Sequence, residues 1–225
     1  MTVPDWRHIE LVVFDVDGTL YHQKALRIRM ALELGKHSLT ARELRTLRIL
    51  RAYRQKREEL AEAETPAFEE VLQADICMRT GVGKDELASI VEEWIERRPL
   101  PYLLRTRRSG IAEVFAALRQ SGRKVAVLSD YPTERKLTAL GLEADFHLAA
   151  SDPEVGIMKP NSKGLRLLME RAGCTSAETL MIGDRDERDG EIARREGVAA
   201  MILDRTSDGE QLQGSLSNLS RALGL

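Results

Sequence analysis

Apolar residues fall along this chain in three textures. The first is a short unbroken run, Ile9 to Val13, followed at once by Phe14-Asp15-Val16-Asp17-Gly18-Thr19-Leu20. An apolar, β-prone run of this length that ends in turn residues predicts a strand buried on both faces. The second texture extends from Tyr21 to about Arg108, where strand-like runs vanish and apolar positions recur at helical spacing. A helix is expected from about Lys24 to Leu34, with Leu26, Met30 and Leu34 on one face and Gly35 as its stop. A second helix starts at the capping-box pattern Thr40-Ala41-Arg42-Glu43. A third follows Thr65-Pro66 and carries Phe68, Val71, Leu72 and Ile76 before Gly81. A fourth runs from about Lys84 with Leu87, Ile90, Val91, Trp94 and Ile95 on its apolar face, and Pro99 and Pro101 break it.

From Ser109 onward helix and strand patterns alternate, the signature of a parallel, doubly wound sheet. A helix carrying Ile111, Val114, Phe115 and Leu118 precedes a strand over residues 123–128. A helix with Leu137 and Leu140 leads to a short strand over 146–149, and one with Leu165, Leu168 and Met169 leads to a strand over 179–182. A helix around Ile192 and Ala193 precedes a strand over 198–203, and Leu212, Leu216, Leu219 and Leu223 suggest a last helix covering the sheet. The predicted fold is therefore α/β, a Rossmann-like parallel sheet of about five strands. Residues 1–20 and 109–225 form the core, and 21–108 a helical insert after the first strand.

The chemistry gathers where the strands stop. Asp15 and Asp17 stand two residues apart, and Gly18 signals that the backbone turns there. Two carboxylates held close repel unless a cation neutralises them, and hard oxygen donors of this kind suit Mg²⁺. The same residues also make ordinary turns. Ser129 and Asp184 likewise follow predicted buried strands, and Lys159 lies in the turn-rich loop from Ser151 to Pro160. Singly, each has a plain reading as a cap, a solvated charge or a turn acid. In series they occupy the strand ends where open parallel sheets bind ligands.

Composition adds limits. The 225 residues exceed one usual compact domain, and 31% of them are charged with a net charge of −2, which gives no global pull toward nucleic acid or membrane. The arginines at 42, 45, 48, 51, 54 and 57 form a ladder. A step of three falls back about 60° per repeat on a 3.6-residue helix, so the ladder spirals and is expected to be solvated and salt-bridged instead of forming one nucleic-acid face. Cys77 and Cys174 are too far apart in sequence and too few for a disulfide framework or a zinc site. Met1 to His8 is polar and no apolar run reaches the length of a membrane span, so a cytoplasmic protein is expected.

Taken together, Asp15-Val16-Asp17-Gly18-Thr19, Ser129, Lys159, and Gly183-Asp184 with Asp189 resemble the four ordered motifs of the haloacid dehalogenase-like hydrolase superfamily. The resemblance spans nearly the whole chain, because residues 21–108 lie where such proteins carry a C1-type cap. It implies that Asp15 is the nucleophile, forming an aspartyl-phosphate, and that Asp17 acts as general acid and then base. Ser129 and Lys159 are implied as phosphate-binding residues, and Mg²⁺ is implied to be held by Asp15, the carbonyl of Asp17 and Asp184, with Asp189 in support. Asp186 ranks below these. A carboxyl at position 17 points to phosphate esters, since dehalogenases of the family lack an acid there. Asp130 stands where relatives often have Asn, with Arg185 as a candidate partner for Asp130 or Asp186. The expected substrate is a small phosphorylated metabolite; a sugar phosphomutase and a non-catalytic interaction protein are the alternatives. The residues do not specify an oligomeric state.

Overall fold

The computed structural model describes residues 6–41 and 44–203. Its centre is β1 (Leu11–Phe14), whose four side chains are all fully buried. A strand can be apolar on both faces only if both are covered, and parallel strands flank it on either side. Val12 and Val13 pair with Val125 and Ala126 of β2 (Lys124–Ser129), and with Leu180 and Met181 of β4 (Thr179–Gly183). β3 (Phe146–Ala149) and β5 (Ala199–Ile202) extend the sheet to the order β3-β2-β1-β4-β5.

Side chains alternate across this sheet with period two. Val12, Phe14, Val125, Val127 and Ile182 share a core with Ile111, Phe115 and Leu118 of α6 (Ile111–Gln120) and Leu137 and Leu140 of α7 (Glu134–Leu140). Leu11, Val13, Ala126, Leu128 and Met181 face Leu165 and Leu168 of α8 (Lys163–Ala172) and Ile192 of α9 (Glu191–Glu196). This is the doubly wound Rossmann-like arrangement. Strand order reverses about β1, so the carboxyl ends of β1, β2 and β4 border one crevice.

The chain leaves the sheet at Tyr21 and returns at Arg107, and an antiparallel bridge joins those two residues. Backbone bonds from His22 to Thr106 (2.8 Å) and from Arg108 to Leu20 (2.9 Å) close the same neck. Between them lie α1 (Gln23–Ala41), α2 (Arg45–Glu62), α3 (Phe68–Thr80), α4 (Lys84–Val91) and α5 (Leu100–Thr106). Ile49, Tyr53, Phe68, Leu72, Ile76 and Leu87 form the insert's own apolar centre, which also takes in Ala150 and Met158 from the loop after β3.

Several details differ from the sequence pattern. Gly35 does not stop α1, which continues to Ala41; a single glycine costs a helix only about 1 kcal/mol. Thr65 and Pro66 do not start α3: Pro66 lies in a short turn with Ala67, the N-cap, which is in the left-handed region (φ 49°). The fourth helix widens into a π-helical turn over Glu92–Arg97, and the prolines that end it also open α5. Pro99 is the N-cap and Pro101 lies in the first turn, where a missing N–H costs nothing. Arg42 and Glu43 of the expected capping box, and the expected helix over 212–223, lie outside the described residues.

Candidate active site

β1 delivers Asp15 to the crevice, where its backbone N–H is fixed by the Ile182 carbonyl of β4 at 2.9 Å. The chain then turns through Gly18 at φ +114°, a conformation that favours glycine. A Cβ at Gly18 would lie 2.2 Å from Asp184 Oδ2, so the absence of a side chain there lets the two loops meet. Buried Arg108 pins this turn by donating to the carbonyls of Gly18 (2.8 Å) and Thr19 (3.2 Å).

The carboxylates are held in two groups. Asp15, Asp184 and Asp189 are all buried, and a ligand oxygen from each lies within 4.8 Å of the others. Lys159 Nζ donates to Asp15 Oδ1 and Asp189 Oδ1, both at 2.6 Å, and the Thr19 hydroxyl donates to Asp15 Oδ2 at 3.0 Å. Asp189 Oδ2 accepts the backbone N–H groups of Asp184 (3.2 Å) and Arg185 (3.1 Å), folding the loop after β4 around itself. Gly183 is needed for that fold, because a Cβ there would sit 2.3 Å from the Asp189 side chain.

Asp17 belongs to the second group. Both of its oxygens meet Lys136 Nζ at 2.7 Å, the Tyr21 hydroxyl donates to Oδ1, and Ser129 Oγ lies 3.3 Å from Oδ2. Its carboxylate thus has partners of its own, distinct from those of Asp15 and Asp189. Ser129 also caps its own turn by accepting the Tyr131 N–H at 3.1 Å, so the plain reading as a turn residue and the functional reading both hold for one hydroxyl.

Charge balance follows this geometry. Burial works against ionisation of Asp17, but the adjoining Lys136 ammonium outweighs it and holds the carboxyl below its usual range. Burial and the same carboxylate push the Tyr21 phenol well above its ordinary value. Burial likewise opposes the charge on Lys159, and Asp15 and Asp189 overcome it, so the ammonium is held more tightly than usual. Asp189 is raised, by burial first and by the charge of Asp15, against the pull of Lys159.

Further contacts around the site come from residues that the sequence pattern did not single out for it. Arg188, buried on the turn before α9, donates to the Lys159 carbonyl and to Glu58 of α2 at 2.7 Å. Arg57 is also buried, contrary to the expected solvated ladder; it donates to the Asp130 carbonyl and stacks between the rings of Phe68 and Tyr131, 4.9 and 4.2 Å from their centroids. Arg185 pairs with Glu187 and Glu58, not with Asp130 or Asp186, and Asp186 turns outward to Arg194. The Asp130 carboxylate instead accepts the Lys159 N–H at 3.0 Å, which gives an acid at this position a positioning role. Lys136 carried no signal of its own: a lysine on a helix next to a turn has the pattern of a solvated charge.

Six residues expected to serve one site therefore do converge: Asp15, Asp17, Ser129, Lys159, Asp184 and Asp189. A cavity of about 620 Å³ opens from the carboxylates toward α1, α2 and the π-helical turn. The donor set fits a divalent cation. Lys159 pairs with two of the three buried carboxylates, Asp15 and Asp189, which leaves an anionic excess of the kind that oxygen-seeking Mg²⁺ would offset, and glycine at position 18 leaves room for the Asp184 side chain.

This fold and this site define a class. The chain belongs to the haloacid dehalogenase-like hydrolases, whose family profile matches residues 9–197. A phosphoserine phosphatase of Thermus thermophilus is 35% identical over 98 residues, spanning 42% of this chain and only 39% of that protein. A glyceraldehyde 3-phosphate phosphatase of Methanopyrus kandleri is 27% identical over 88% of this chain and 84% of its own length. Among solved structures, an L-2-haloacid dehalogenase of Xanthobacter autotrophicus aligns with TM-score 0.59 and 21% identity, covering 95% of this chain and 87% of that one. A phosphatase of the family from Thermococcus onnurineus aligns with TM-score 0.57 and 22% identity, covering 89% and 88%. At such identities these structures share the fold.

Proposed function

We propose that this protein is a Mg²⁺-dependent phosphatase that hydrolyses a small-molecule phosphate monoester through an aspartyl-phosphate on Asp15. The observation that carries this reading is the pairing of two carboxylates with separate surroundings. Asp15 is fixed by Lys159 and Thr19 beside the acidic triad, while Asp17 stands apart in the same cavity with Lys136. Two acids kept in distinct environments suit two roles, nucleophile and proton carrier. The names of the two sequence relatives agree with phosphate-ester chemistry.

In the first half-reaction an Asp15 oxygen bonds to phosphorus as the phosphorus–oxygen bond to the alcohol breaks, and the leaving oxygen takes a proton from Asp17. In the second, water attacks phosphorus, gives its proton to Asp17, and the bond to Asp15 breaks, releasing phosphate. The adjoining Lys136 ammonium favours the ionised form of Asp17, the form that accepts a proton; serving as the acid requires it to exchange that ion pair for a proton. Lys159 neutralises Asp15, and the Ser129 hydroxyl would donate to a phosphoryl oxygen. Asp15, Asp184 and the Asp17 carbonyl, with Asp189 in support, would hold Mg²⁺, which supplies charge neutralisation at the phosphoryl group. The helical insert serves as the cap that selects the alcohol. We place the activity in the cytoplasm, on a phosphorylated metabolite.

Peptide mass spectrometry after rapid quenching tests this reading. A phosphorylated peptide containing Asp15 is expected from the native protein and none from Asp15→Asn. Turnover that persists in Asp15→Asn would contradict it.

A further inference from the structure

The catalytic residues account for only one end of the cavity. Part of its lining is apolar, supplied by Leu26 and Met30 of α1, Trp94 and Ile95 of the π-helical turn, and Leu100 and Leu103 of α5. Two exposed arginines, Arg27 of α1 and Arg54 of α2, also line it. Helical spacing explains why each of them faces the cavity. Arg27 stands four residues after Gln23 and three before Met30, and Arg54 four before Glu58, all of which line the same cavity.

These two arginines differ from the neighbours that are already engaged. Arg29 pairs with Glu33 at 3.4 Å, and Arg57 is spent on Asp130. Among the described residues no hydrogen bond, ion pair or ring contact engages Arg27 or Arg54. The acids that line the cavity beyond the catalytic carboxylates do not cancel them. Glu58 is held by Arg188 and Arg185, and Glu187 by Arg185, which leaves Glu96, beside Glu92 and within reach of Arg135 and Lys136, as the remaining acid of the lining. With Arg27 and Arg54 set against Glu96, the balance is a single positive charge among the residues lining the cavity.

We propose that the site takes phosphate monoesters of elongated alcohols with an apolar body and a terminal carboxylate, and that Arg27 and Arg54 hold this carboxylate. This rests on the phosphatase reading and narrows it. One net positive charge matches a monoanionic carboxylate better than a second dianionic phosphate, and the guanidinium fork suits its two oxygens. The apolar lining favours an alkyl or aryl body over a polyhydroxylated sugar, whose hydroxyls would lose water without gaining partners there.

The test compares hexyl phosphate with its ω-carboxy counterpart, whose charge is too far from the ester to alter the leaving group. The native enzyme is expected to favour the carboxylate by about tenfold or more in kcat/KM, the usual worth of a charge-assisted hydrogen bond. Arg27→Gln with Arg54→Gln should bring the two esters to within about twofold, and added salt should narrow the gap in the native enzyme. Equal kcat/KM for the two esters in the native enzyme, or a loss shared equally by both in the variant, would overturn the proposal. Should neither ester turn over, calorimetric titration with the same pair decides the subsite separately, and the phosphatase reading is decided by phosphate release from a broad panel of esters. Tighter binding of the carboxylate that depends on the arginines supports it, and equal binding refutes it.

Discussion

Asp17 receives donors from three parts of the chain: Tyr21 at the neck of the insert, Ser129 at the end of β2 and Lys136 on α7. Such a carboxylate is oriented before any substrate arrives, and its proposed task is to move protons. Asp17→Asn keeps the shape and removes that capacity. Turnover of an alkyl phosphate is expected to fall by about 10²–10⁴-fold, the usual worth of a general acid–base group. Because para-nitrophenolate leaves without needing a proton, the loss on para-nitrophenyl phosphate should be much smaller; equal losses on both esters would deny Asp17 the acid role. At this scale the site was legible wherever a charged residue interrupts an apolar run, as Asp15 and Asp184 do. Lys136 and Arg188 lie on helical segments, where charged residues are the rule, and only tertiary packing shows them facing inward.

α2 is where the insert grips the core. Arg57 and Glu58 on this helix reach Asp130 after β2 and Arg188 before α9, and those two residues fix the Lys159 backbone from either side. Arg57→Met leaves the Asp130 carbonyl without its donor and removes the stacking with Tyr131, so destabilisation of about 1–3 kcal/mol is expected in urea unfolding. An unchanged midpoint would show that the contact is dispensable. Tyr53, one turn earlier and buried, has its phenol pushed up to about 12 from 10.0, chiefly by burial. A raised folded pKa favours the neutral phenol, so its stabilisation is complete below pH 10.0 and is lost progressively as pH rises toward about 12. That loss is on the order of 2 kcal/mol. Tyr21 adds a decline of the same sign, so the readout is the difference between native protein and Tyr53→Phe, which should lose less stability over this range. Parallel pH curves would contradict the assignment. Helical periodicity revealed the insert's helices well, because Phe68, Leu72 and Ile76 repeat cleanly. It missed α5, where Pro99 and Pro101 gave the same signal for ending one helix as for beginning the next.

For the molecule as a whole, the arrangement of strands made the site readable before any coordinates. Alternating helix and strand patterns imply parallel strands whose carboxyl ends share one edge, so polar residues after separate strands must meet. The registers of β1 with β2 and β4 bring Asp15, Ser129 and Asp184 to that edge. What the pattern does not encode is how a helical insert settles on the sheet, since Arg57 depends on partners more than 70 residues away in the chain. The central claim is that this assembly transfers phosphate to Asp15 with a divalent cation in the acidic triad. The most direct test is phosphate release from a broad panel of phosphate monoesters, with Mg²⁺ and after chelation, in native protein and Asp15→Asn. The account predicts release that requires Mg²⁺ and disappears in Asp15→Asn. No release from any ester by folded, Mg²⁺-supplied protein, or release unaffected by chelation, would contradict it.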